Sequence, residues 1–69
     1  MMLYQARYKA IVENYYKDGR SITVVRDAYF NCSDVGKVPL EASKRVELEV
    51  GNDFPGLAYT YQIEFIYAV

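Results

Sequence analysis

Near the N-terminus the chain alternates: Tyr4, Ala6, Tyr8, Ala10 and Val12 fall on one side, Gln5, Arg7, Lys9 and Glu13 on the other. A period of two is that of a β-strand, whose successive side chains point to opposite faces. Leu3 to Asn14 is therefore predicted as a strand with one buried and one solvated side, Ile11 breaking the polar row once.

Tyr15-Tyr16-Lys17-Asp18-Gly19-Arg20 follows. Asp-Gly between alternating segments predicts a hairpin, because a type I′ turn needs positive φ at both central residues. The return strand, Arg20 to Asn31, carries Ile22, Val24, Ala28 and Phe30 on one side, and Arg26 interrupts that row with Val25 beside it. Either Arg26 points into a partner surface or a β-bulge near Val25-Arg26 resets the alternation; the bulge is the preferred reading.

Asn31 to Lys37, where Asn, Ser, Asp and Gly cluster, reads as a loop. Pro39 suits a first helical turn, where its missing N–H costs nothing. From Pro39 to Val50 the residues Ala42, Val46 and Val50 stack at four-residue spacing, flanked by Leu40 and Ser43. Glu41 to Arg45 and Arg45 to Glu49 are i,i+4 charge pairs, each worth a few tenths of a kcal/mol. Gly51 stands where a left-handed residue closes a helix, and Pro55 prevents its resumption. A rival reading exists, because Arg45-Val46-Glu47-Leu48-Glu49-Val50 also alternates and Leu48 fits the helical stripe poorly. A strand there would make the chain four-stranded and nearly all β; the helix is preferred.

In Ala58 to Val69 the residues Tyr59, Tyr61, Ile63, Phe65, Tyr67 and Val69 are expected on the core face, and Thr60, Gln62 and Glu64 opposite. Ile66 and Ala68 make the end of this strand apolar on both sides, and that end is expected to be covered. The fold class is thus α+β: a single domain over residues 1–69 with element order β-β-α-β. A right-handed crossover places the third strand antiparallel beside the first. The three-stranded antiparallel sheet then has the order second, first, third, with one helix on one face and the other face bare.

A chain of 69 residues buries only about 60% of its unfolded surface, so its core alone is marginal. Cys32 is the sole cysteine and histidine is absent, which excludes an internal disulfide and a conventional structural zinc site. Good local packing and self-association as a homodimer are the remaining ways to gain stability. The composition, 52% hydrophobic and 25% charged, is that of a folded domain. A net charge of −1 gives no field for steering onto nucleic acid. No apolar run is long enough to span a membrane. A cytoplasmic location is expected from the lone free cysteine and the absence of a leader.

Catalysis needs a nucleophile beside a base, tuned carboxylates or a metal, and none of these sets is legible. Cys32 reads as a structural strand-end cysteine. Asp18, Asp27, Asp34 and Asp53 sit in turn or loop contexts, while Glu41, Glu47 and Glu49 belong to a solvated helix. No catalytic residue, cofactor or metal is expected, and the chain is read as a non-enzyme.

The unusual feature is 8 tyrosines with no tryptophan. Tyr4, Tyr8, Tyr59, Tyr61 and Tyr67 are assigned to the core. Tyr15 and Tyr16 lie beside the hairpin tip and Tyr29 on the polar side of the second strand, where exposed tyrosine suits a protein interface. The candidate partner-binding residues are therefore Tyr15, Tyr16, Arg20, Arg26 and Tyr29, with Arg7 and Lys9 on the adjacent face. The same aromatics could stack on single-stranded bases while Arg7, Lys9, Lys17, Arg20 and Arg26 met phosphates. Glu13, Asp27 and Glu64 on the same face oppose that reading.

The charged and aromatic first strand, the Asp18-Gly19 hairpin, the Glu/Lys-rich helix ending in Gly51-Asn52-Asp53-Phe54-Pro55-Gly56 and the alternating last strand form a recognisable layout. It resembles the small β-β-α-β proteins of tailed phages and mobile elements, which include inhibitors of host RNA polymerase and blockers of nuclease defence systems. The resemblance is one of pattern and transfers no functional residue. It implies a non-enzymatic module that binds a host enzyme or defence complex. The alternatives are a structural homodimer and a weak single-stranded nucleic-acid binder.

Overall fold

The computed structural model describes residues 1–69: strand β1 (Met2–Val12), strand β2 (Ile22–Cys32), a 3-10 turn (Val35–Lys37), helix α1 (Val38–Asp53) and strand β3 (Tyr59–Ala68). The sheet order is β2-β1-β3 with both pairings antiparallel, as the alternation and the crossover rule predict. Helix α1 covers one face. Residues 44–50 are helical, which disposes of the four-stranded alternative.

From Tyr4 on, the even-numbered residues of β1 build the core: Tyr4, Ala6, Tyr8, Ala10 and Val12 are all buried. Against them lie Val38, Ala42, Val46 and Val50 of α1, spaced four apart so that one stripe of the helix meets the sheet. Small residues, Ala6, Ala10, Ala28 and Ala42, are fully buried where helix and sheet approach. Tyr4 stacks on Phe30 across strands at 5.6 Å between ring centroids. Only 13 of 69 residues are buried, so the core is one thin layer between a sheet and a single helix.

The β1–β2 register runs without a break from Met2↔Cys32 to Val12↔Ile22, and the bulge expected at Val25-Arg26 does not form. Arg26 keeps its place on the helix side, opposite Tyr8. Its stem runs out past the end of α1, where the guanidinium lies 5.4 Å from the Phe54 ring centroid and pairs with Asp53. A long cationic side chain tolerates a core-facing position when its head can reach solvent.

The irregularity sits instead in β3. Arg7 pairs with Phe65 and Tyr8 with Ile63, so two residues of β3 advance against one of β1 and Glu64 is the extra residue. Every residue beyond it changes side. Tyr59, Tyr61 and Ile63 pack on the core as expected, and Ile66 joins them. Phe65 and Tyr67 turn to the face without the helix, 48% and 45% exposed, and Val69 is exposed too. The expectation that Phe65, Tyr67 and Val69 are inward is thus corrected, and the apolar pair Ile66 and Ala68 is accounted for.

Two turns also differ from expectation. The β1–β2 connection is longer than a two-residue hairpin: the Gly19 amide donates to Tyr16 O at 2.9 Å and the Tyr16 amide to Arg20 O at 3.1 Å. The positive φ values fall at Gly19 (89°) and Asn14 (54°), not at Asp18. Asp18 accepts from the Arg20 amide and guanidinium, the usual work of Asp in a tight turn. Helix α1 runs through Gly51 to Asp53. It is stopped by Phe54-Pro55-Gly56-Leu57, in which Gly56 has φ 78° and the Leu57 amide donates to Phe54 O at 3.3 Å. Proline then glycine at the centre is the signature of a type II turn. At the other end Asp34 accepts from the Gly36 amide, and Pro39 lies in the first helical turn.

Candidate interaction surface

The strand period and the Glu64 bulge together decide what the face without the helix displays. From β2 it carries Thr23, Val25, Asp27, Tyr29 and Asn31; from β1 Leu3, Gln5, Arg7, Lys9 and Ile11; from β3 Thr60, Gln62, Phe65 and Tyr67, with Val69 following. Leu3, Ile11, Val25, Tyr29, Phe65, Tyr67 and Val69 are large apolar or aromatic residues left exposed. No second layer covers them.

A polar chain crosses the middle of this surface. Arg7 grips Asp27 through two parallel bonds, Nε to Oδ1 at 2.9 Å and Nη2 to Oδ2 at 3.0 Å. This two-pronged geometry is the strong form of the arginine–carboxylate pair. The Arg7 bond holds the Asp27 carboxyl below its usual range despite desolvation, with a further contribution from Gln5. Gln5 in turn accepts from the Tyr67 hydroxyl. The Arg7 guanidinium lies 6.0 Å from the Phe65 ring centroid, and Phe65 stacks on Tyr67 at 5.7 Å. Arg7 is thus engaged within the chain, and its own pKa is raised, chiefly by the Asp27 bond. Lys9 joins no ion pair, which leaves it as the cation of this face without a carboxylate partner.

The sequence-predicted residues divide between two places. Arg7, Lys9 and Tyr29 share the helix-free face. Tyr15, Tyr16, Arg20 and Arg26 gather at the end of the molecule where the β1–β2 loop meets the C-terminus of α1. There the Arg20 guanidinium sits 4.8 Å from the Tyr16 ring centroid, Tyr16 meets Tyr15 edge-on at 5.1 Å, and Tyr15 meets Phe54 at 5.8 Å. Arg26 closes the series on Phe54. Phe54, the hub of this cluster, was not singled out by sequence reasoning, because the Asp-Phe-Pro-Gly context reads as a helix stop.

The larger omission was Phe65, Tyr67 and Val69 as surface residues. One signal existed: Ile66 and Ala68 make strict alternation fail, which is what a single inserted residue produces. Deeper in, the Tyr8 hydroxyl is buried without a hydrogen-bond partner. Burial raises its pKa above the ordinary 10.0, and the charge of Glu49 adds to the effect. No helix is long and apolar enough to cross a membrane.

Comparison with protein-family models, curated proteins and solved structures finds no match to the chain. The functional reading therefore rests on the surface itself.

Proposed function

We propose that this chain is a non-enzymatic protein-binding module whose contact surface is the helix-free face of its sheet. The carrying observation is the Glu64 bulge, which moves Phe65 and Tyr67 out of the core side and sets them on the face that also carries Tyr29, Val25, Leu3 and Ile11. Keeping several large apolar side chains in water has a hydrophobic cost that a partner removes. Aromatic residues around a neutralised Arg7–Asp27 pair make the kind of centre that dominates binding energy.

The partner's chemistry follows from the same residues. It is a folded protein presenting a flat apolar area with a carboxylate opposite Lys9, since Arg7 already has its counter-ion. In the phage-like reading that partner is a host enzyme or defence complex. Single-stranded nucleic acid fits less well: Tyr29, Phe65 and Tyr67 offer stacking, but Lys9 is the one cation on this face free to meet a phosphate.

The test compares three tagged proteins in lysate of the source or host cell, with and without nuclease. They are the wild type, Phe65→Ser/Tyr67→Ser on the open face, and Leu40→Ser, an exposed apolar residue on the outer side of α1. A stoichiometric protein retained by the wild type and the helix variant, lost by the face variant and insensitive to nuclease is the expected result. Retention by the face variant, or recovery that depends on nucleic acid, overturns the assignment.

A further inference from the structure

The two edges of the sheet are treated differently. The β3 edge carries the Glu64 bulge, a device that twists and interrupts a strand so that no other chain can pair with it. The β2 edge, Ile22–Cys32, has no proline and no bulge along its whole length. The hydrogen bonds of β1 show which groups this edge offers. The Val69 amide donates to Leu3 O and the Glu13 amide to Ala58 O, so odd-numbered residues of β1 turn their backbone groups to β3 and even-numbered ones to β2. In the β1–β2 register even residues face even residues. The amides and carbonyls of Thr23, Val25, Asp27, Tyr29 and Asn31 therefore point outward, in line and unpaired within the sheet.

We propose that β2 pairs antiparallel with β2 of a second copy about a dyad at Ala28, joining two three-stranded sheets into one. The register follows from what meets at the dyad. A dyad at Asp27 sets two carboxylates, each already holding its own Arg7, against each other, and a dyad at Arg26 sets two long arginine stems together where the strands come closest, both poorer cross-strand pairs than two alanines. A dyad at Ala28 opposes Asp27 to Tyr29, Val25 to Asn31 and Arg26 to Phe30, and places the small Ala28 where the strands come closest. Moving the dyad beyond Arg26 or Ala28 shortens the overlap.

The helices fit this arrangement. Helix α1 packs on Tyr4, Ala6 and Tyr8 of β1, on Ala28 and Phe30 of β2 and on Tyr59, Tyr61 and Ile63 of β3, so it lies over the three-stranded sheet and not over its outer edge. With strands about 4.8 Å apart, the dyad sets the two helices side by side on the same face of the joined sheet, about 10–14 Å apart and without overlap. The side of α1 toward β2 carries Leu48, 53% exposed, which lines a groove with Tyr29, Phe30, Asn31, Glu41, Lys44 and Arg45. Leu48 is the residue that the helical stripe leaves out, and the seam between the two helices gives it a partner. The charges beside it do not oppose the approach, since Lys44 pairs with Glu41 and Arg45 with Glu49 within each chain. The dimer also joins two open faces into one, with both copies of Tyr29 beside the dyad.

Sedimentation equilibrium of the wild type, from micromolar to millimolar loading, is expected to approach twice the 8.0 kDa chain mass. The register is read with Val25→Cys/Asn31→Cys in a Cys32→Ser background under mild oxidation. In the dimer each new thiol faces its mate across a hydrogen-bonded pair, with Cα atoms about 5.5 Å apart and within disulfide reach. Along one strand the same two positions are about 20 Å apart, so the bond can form only between chains. A covalent dimer is expected. A wild type that stays monomeric over the whole range, or a dimer that fails to cross-link at these positions, overturns the proposal. Val25→Pro, which removes an outward amide and no bond to β1, should give a monomer with unchanged far-UV circular dichroism. A folded Val25→Pro dimer also counts against it, and if that variant does not fold the cross-link decides. The Phe65 and Tyr67 substitutions lie on the far strand, so this test and that of partner binding can fail separately.

Discussion

Deleting Glu64 distinguishes the bulged strand from the strictly alternating one. In the structure, Tyr59, Tyr61, Ile63, Ile66 and Ala68 lie on the helix side, with Thr60, Gln62, Phe65 and Tyr67 opposite. Without Glu64 the sequence Tyr59-Thr60-Tyr61-Gln62-Ile63-Phe65-Ile66-Tyr67-Ala68 alternates without fault, and every side chain keeps its face. The deletion should therefore change stability by no more than about 1 kcal/mol, the range of a surface change that disturbs no core contact. Were β3 regular with Phe65 and Tyr67 inward, the same deletion would expel both from the core. At about 1.5–3 kcal/mol for each large side chain, the loss would be about 3–6 kcal/mol. Stability of about 0.05–0.15 kcal/mol per residue gives a chain of this length on the order of 3–10 kcal/mol in all, so that loss would leave it largely unfolded.

Urea denaturation followed by far-UV circular dichroism, at protein concentrations low enough to keep all forms monomeric, measures the difference. A loss of about 3 kcal/mol or more would refute the bulge. Two substitutions sharpen the comparison. Ile66 packs on the cluster of Tyr4, Ala6, Phe30 and Val38, whereas Phe65 is half exposed. Ile66→Ser should therefore cost more than Phe65→Ser, which should lose about 1 kcal/mol, half the value of full burial. Strict alternation demands the opposite order.

Three further outcomes follow from single sites. Gly51 lies inside α1 with open space where a Cβ would stand, so Gly51→Ala should raise the unfolding free energy measured in urea by up to about 1 kcal/mol, whereas Gly56→Ala, at φ 78°, should lower it. A fall at Gly51 would mean that the helix ends there after all. Tyr8→Phe removes a buried hydroxyl that has no partner, and should be neutral or stabilising by up to about 1 kcal/mol. The folded-state pKa of Tyr8 is raised above 10.0, so its contribution is present below that pH and is lost as pH rises through the folded value. The phenylalanine variant should lack this alkaline loss in a denaturation series against pH. Asp27 has the opposite sign: its folded-state pKa is depressed, so its contribution is present above about pH 4 and is lost as acid protonates the Arg7 pair. Asp27→Asn should flatten that acid limb at low salt, and an unchanged limb would show that the pair contributes nothing to it.

How far the sequence reveals this molecule depends on how local each determinant is. The strands β1 and β2, the stripe Ala42-Val46-Val50 and the order β2-β1-β3 follow from periodicity and the handedness of crossovers. Arg26 deceived because alternation records polarity, not length: a side chain that starts on the core side can end in solvent at Asp53. Asp18-Gly19 gave a turn at the right place with the wrong geometry, since Asn14 takes a positive φ and lengthens the loop. In β3 the apolar residues around Glu64 satisfy either register, and only pairing with β1 selects between them. Of the candidate surface, Arg7, Lys9 and Tyr29 were legible because β1 and β2 are regular. Phe65 and Tyr67 were not, because their side of the sheet is set by a bulge.

That bulge has two consequences, and deletion of Glu64 separates them. It sets Phe65 and Tyr67 on the open face, and it spoils the outer edge of β3 for pairing. Deletion preserves the first, since every side chain keeps its side, and abolishes the second. The shortened chain then has two flat, proline-free edges, β2 and β3, where the wild type has one. A sheet that pairs through one edge stops at a closed dimer, whereas one that pairs through both continues without limit. The Glu64 deletion should thus retain binding through the open face at low concentration, yet grow beyond a dimer in sedimentation velocity as concentration rises. A deletion variant that remains the same size as the wild type at every concentration would show that Glu64 does not guard that edge.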